Sequence, residues 1–147
     1  MSARQLLLGG AHEGVSEAVT SPCFSSSFST TWENARSTYE ISGAEPGKDF
    51  SSCYEKAKTA IASQNVHKPA EISNQPFYAF SYYFDRAVEV GLITENGGDL
   101  KVSEFKTAAE KACDNTAVPK VSDNADWLCA DLSLISALLS EGFGFDD

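Results

Sequence analysis

Positive charge is scarce in this chain, and the scarcity excludes more function classes than any single motif establishes. Its 147 residues carry 11 Lys and Arg against 21 Asp and Glu, a net charge of −10. The imbalance is steepest over residues 94–147, where eleven acids face four bases. No basic stripe exists that would grip a nucleic acid or an anionic membrane surface. An anionic ligand would have to be met by backbone N–H groups or by a bound cation. Long apolar runs are missing as well. Nothing approaches the roughly 18 residues that cross a bilayer, and the amino end lacks the charged start and apolar core of a signal peptide. His12 and His67 are the only histidines and no CxxC spacing occurs, so no zinc ligand set is in view. A Ser/His/Asp or Cys/His set, a Walker loop and a carboxylate pair of known spacing are all absent.

What the chain does have is four cysteines in two sequence-local pairs, Cys23 with Cys53 and Cys113 with Cys129, each flanking a loop that needs tethering. Four cysteines allow three connectivities, and metal binding is the competing use. Disulfides would imply an oxidising compartment. The length fits one domain or part of one.

The densest aromatic segment, 75–93 (QPFYAFSYYFDRAVEVGLI), reads as the element around which the rest is organised. Pro76 suits a helix start and Gly91 a left-handed helix end. Between them Phe77, Phe80, Phe84 and Val88 fall at helical spacing as an apolar stripe, with Tyr83 at its margin and Tyr82, Asp85 and Arg86 mostly off it. Two uses of the tyrosines stay open: amphipathic edges of a core helix, or a flat ring face on which a base can stack. Tyr82 is the one expected to be free. Elsewhere, 2–8 reads as a short helix ended by Gly9 and Gly10, and 11–31 as a Ser/Thr/Gly-rich loop. Residues 32–42 suit one half-buried strand with Tyr39 and Ile41 inward. Helices are expected over about 50–63, over 104–114 capped by Ser103, and from Cys129 on, with Leu128, Leu132, Ile135 and Leu139 on one face. Phe143 and Phe145 follow that helix directly, with nothing after them to cover them.

Several blocks taken in order carry a family resemblance. FYAFSYYFDRAVEVGLI, the pattern of Gly97, Gly98, Leu100, Val102 and Phe105, then Cys113, LCADLSLISALLSEGFGF, and Trp32 with YEISG resemble the later part of the apyrase family, the nucleoside triphosphate diphosphohydrolases. They look nearest to its soluble or Golgi-resident nucleoside diphosphatases. The resemblance covers nearly all of the chain, least well over 9–22. It implies an α/β fold, part of an actin-like, ribonuclease-H-like lobe that is mostly helical with a short strand region. It also implies both disulfides as paired above, a lumenal or secreted location, and Ca2+ or Mg2+ in the complete enzyme. That enzyme would remove terminal phosphate from nucleoside di- and triphosphates by direct attack of water. The aromatic helix start would face the base, which makes Tyr82, Tyr83 and Arg86 the candidate substrate-binding residues.

Equally telling is what the family has and this sequence does not show. The phosphate-binding loops of the DxGSTxTR and DxGGxSxQ kinds are absent, and so is the water-activating glutamate between them. The W-x-LG block that helps close the base site is absent too. The expectation is an incomplete lobe over 1–147, with Met1 as an internal methionine, no catalytic group and no cation held by this chain alone. The other reading is an inactive fragment or interaction module that keeps only the family's packing.

Overall fold

A computed structural model describes residues 3–8, 14, 16–34, 36–72, 75–114 and 123–147. Its central element is a helix near the carboxyl end, α5 (Leu128–Ala137), in which every residue is buried. The sequence reading put one stripe of this helix inward, but neighbours cover it on all sides: α4 (Val102–Cys113), α2 (Phe50–Ala62), α1 (Ala3–Leu7) and α3 (Tyr82–Glu89). An apolar helix surrounded in this way is a core helix. A π-turn, Leu138–Phe143, continues it and ends at Gly144 in the left-handed region.

Three strands form the sheet: β1 (Ser16–Ser21), β2 (Ser29–Asn34) and β3 (Ser37–Gly43), in the order β1-β3-β2. β1 runs parallel to β3, and β2 pairs with β3 antiparallel. Two expectations are corrected here. Part of the supposed loop 11–31 is strand, and 32–42 is not one strand but two. Arg36, with φ 70°, makes the turn between β2 and β3. β1 and β2 are short and polar, and their pairing to β3 supplies what local pattern does not. The expected alternation on β3 holds, with Tyr39 and Ile41 inward and Glu40 outward.

Both disulfides pair as expected, Cys23–Cys53 and Cys113–Cys129. The first ties the end of β1 to α2, and the second ties α4 to α5. They are neighbours in the core, since Cys53 Sγ lies 3.8 Å from the Cys129 carbonyl oxygen. Asp49 caps α2 by accepting the Ser52 amide at 2.8 Å. α4 starts earlier than expected: Lys101, not Ser103, precedes it, and the Lys101 amide donates to Glu104 at 2.6 Å. Gly9, Gly10, His12 and the loop 115–122 lie outside the described residues.

Candidate functional site

The aromatic helix is half as long as its spacing suggests. Ser81, with φ 58° and ψ −125°, cannot belong to a right-handed helix, so α3 begins at Tyr82. Residues 75–80 are not helical, and the expected stripe members Phe77 and Phe80 are 55% and 75% exposed, with Tyr78 97% exposed. Phe77 meets Phe145 edge to face at 4.8 Å, so Phe145 is partly covered after all. At the other end Gly91, with φ 75°, closes the helix as its sequence position implied.

α3 carries all three candidate residues into one cluster. Its centre is Asp131 on α5, 1% exposed. Arg4 on α1 donates to both carboxylate oxygens of Asp131, from Nε at 3.1 Å and from Nη2 at 2.9 Å. Arg4 also donates to Asn124 at 3.1 Å and lies 4.2 Å over the Trp127 ring. Arg86 approaches the same carboxylate at 3.4 Å and pairs with Glu89 at 2.9 Å. Two cations therefore share one buried anion, with Glu89 as the second. Nothing local in the sequence announces this, because Arg4 and Asp131 are 127 positions apart. The available signal is an aspartate inside the apolar run LCADLSLISALL, since a buried carboxylate needs a cationic partner.

Tyr82 is corrected in one respect: it is not the free tyrosine. The spacing argument placed it off the apolar stripe, but α3 turns that side toward Asp131, and the Tyr82 hydroxyl is buried without a well-formed hydrogen bond. Burial, reinforced by the Asp131 charge, pushes its pKa far above the ordinary phenol range. Tyr83 meets the Tyr82 ring at 6.2 Å, and burial raises its pKa as well. Burial likewise raises Glu89, against the pull of Arg86. For Arg4, burial acts downward, but the hydrogen bond and charge of Asp131 outweigh it and the pKa stands above its usual value. The structure thus brings Tyr82, Tyr83 and Arg86 together, with Arg86 against Asp131 rather than over a tyrosine face.

Among the described residues no group of three or more His, Cys, Asp or Glu side chains converges as a metal site. Asp131 is already engaged by two arginines. These residues do not fit a divalent cation's ligand set. No helix among the described residues is long and apolar enough to cross a membrane.

In kind, this is a disulfide-braced α/β protein in which a buried ion network seats a short helix bearing paired tyrosines. No family model matches it. Comparison with known proteins is more specific. The chain is 38% identical over 151 aligned positions to ectonucleoside triphosphate diphosphohydrolase 6 of Homo sapiens, covering 99% of this chain and 30% of that protein. It is 37% identical to ectonucleoside triphosphate diphosphohydrolase 5 of Gallus gallus, covering 99% of this chain and 34% of that protein. It is 41% identical to human nucleoside diphosphate phosphatase ENTPD5 over 74% of this chain and 25% of that protein. Over nearly all of its length the chain matches proteins of the ectonucleoside triphosphate diphosphohydrolase family, the apyrases, and it spans a quarter to a third of the length of these relatives. Its helices, short sheet and disulfides are consistent with part of that family's actin-like lobe.

Proposed function

We propose that this chain is a segment of an apyrase-type nucleoside di- or triphosphate phosphohydrolase and supplies part of its base-binding wall through Tyr82, Tyr83 and Arg86. The observation that carries the reading is the match along 99% of the chain to a protein named as a nucleoside triphosphate diphosphohydrolase. The clustering of the three residues on α3 supports it. Stacking on a tyrosine ring contributes roughly 1–3 kcal/mol and tolerates different bases. Terminal-phosphate hydrolysis, with Ca2+ or Mg2+, is assigned to the complete enzyme. The chain by itself is expected to be inactive, because its sequence has neither phosphate loop nor the water-activating glutamate. The disulfides support a lumenal or secreted location.

In a complete enzyme containing this segment, Tyr82→Ala should raise KM for nucleoside diphosphates roughly tenfold with kcat unchanged, the mark of lost ground-state binding. A lower melting temperature with KM unchanged would make Tyr82 a packing residue and place the base elsewhere. For the chain alone, phosphate release from a nucleoside diphosphate with Ca2+ or Mg2+, well above a heat-treated control, would overturn the inactivity. The second reading, an interaction segment, is favoured by one observation: Phe77, Tyr78 and Phe80 are exposed together.

A further inference from the structure

Resting on the base-wall reading, we propose that Asp131 is the wall's positioning residue: its buried carboxylate fixes Arg86, and through Arg86 the orientation of α3 with Tyr82 and Tyr83. Besides the packing of Tyr82 and Tyr83 against the core, α3 has little else to hold it. It is eight residues long, and Ala87 is its one fully buried side chain. A helix of two turns is not stable on its own and takes its geometry from its contacts. It also begins at the left-handed Ser81 and ends at the left-handed Gly91, so neither flank continues its axis.

Asp131, by contrast, is held from several sides. It sits on the central helix, 1% exposed, and Arg4 grips both of its oxygens while being held itself by Asn124 and the Trp127 face. A fork-shaped cation on a carboxylate fixes direction as well as distance. Oδ2, which accepts Arg4 Nη2 at 2.9 Å, also takes Arg86 Nη1 at 3.4 Å. The pair on one side thereby presents a fixed anchor to the short helix on the other. Glu89 adds to this anchor from α3 itself, pairing with Arg86 at 2.9 Å and reaching Asn124, which Arg4 also holds.

Amide hydrogen exchange on the purified chain tests the anchor. Asp131→Asn keeps the side-chain shape and removes the charge, and α3 amides should then exchange at least tenfold faster relative to those of α2 and α4. Unchanged α3 exchange, or equal acceleration in every helix, overturns the proposal. If that variant does not fold, Arg86→Gln cuts the same link and leaves the Arg4–Asp131 pair, with the same selective acceleration expected and its absence equally fatal. Asp131→Asn with Arg4→Gln removes the cation left unbalanced. Melting temperature should recover while α3 stays labile, whereas recovery of both would make Asp131 merely structural. Adenosine is the probe for the wall, read by saturation-transfer NMR at the tyrosine rings with ribose 5-phosphate as the base-free control. Contact should fall at least threefold in Asp131→Asn at equal folded fraction, and undiminished contact refutes the positioning role. No contact in the unmodified chain would instead overturn the base-wall reading, which the exchange result separates from a failure of Asp131 to hold α3.

Discussion

Replacing Cys23 and Cys53 together by alanine should be among the most damaging changes outside the ion cluster. The bridge closes a loop of 30 residues that contains β2 and β3, and both cysteines are fully buried. Under the closed-loop entropy model, losing it costs about 3.6 kcal/mol, compared with about 3 for the 16-residue Cys113–Cys129 loop. Unfolding entropy of about 2.1 cal/mol/K per residue over 147 residues makes that a fall in Tm of about 12 °C. Alanine is the informative replacement because serine would bury two hydroxyls. Urea and thermal unfolding under non-reducing conditions, followed by circular dichroism, give the difference. A loss below about 1 kcal/mol would mean that the sheet is held to α2 by packing alone and that the loop-closure argument fails here. A peptide map of the unreduced protein joining Cys53 to Cys113 would refute the pairing itself.

Two further changes test local geometry. A Cβ at Gly43 would fall on the Ser25 carbonyl oxygen, so Gly43→Ala must displace backbone and should cost about 1–3 kcal/mol in urea unfolding; an unaffected midpoint would mean the loop before β2 yields freely. Asp49→Ala should cost about 1 kcal/mol through the lost α2 cap. The bonds from Ser52 lower the Asp49 pKa, so this contribution is full above the ordinary carboxylate range and disappears as pH falls through the folded value. The gap between wild type and variant should therefore close on acidification, and a gap that widened would rule out the cap.

The sequence disclosed elements whose pattern is local and hid those whose burial is set from afar. α2, α4 and the inward Tyr39 and Ile41 followed from spacing, and Gly91 followed from its backbone freedom. β1 was hidden because SEAVTS has one large apolar residue, Val19, and becomes strand by pairing with β3. The aromatic stretch misled in the opposite direction. Its rings keep helical spacing through Phe77 and Phe80, yet spacing carries no information about a left-handed Ser81, and the true centre is α5. Of the candidate site, the placement of Tyr82, Tyr83 and Arg86 on one helix was legible, but the partner that seats them was not. Asp131 finds Arg4 and Arg86 only after the chain has folded.

Basic residues are few enough that their placement bears on what the chain can recognise. Arg4 and Arg86 are committed to Asp131, and Lys58 to Glu55 at 3.4 Å. Lys48 and Lys56 are half-buried, and burial lowers both pKa values. Replacing a buried ion cluster by apolar residues is often neutral or stabilising, so stability alone is a poor reason to keep one. On the proposed reading, the cluster that consumes two scarce arginines is explained by the helix it orients, with Tyr82 and Tyr83 forming part of a base wall. Under that proposal the wall would meet the uncharged base of a nucleotide, and the phosphates would fall to other parts of the complete enzyme.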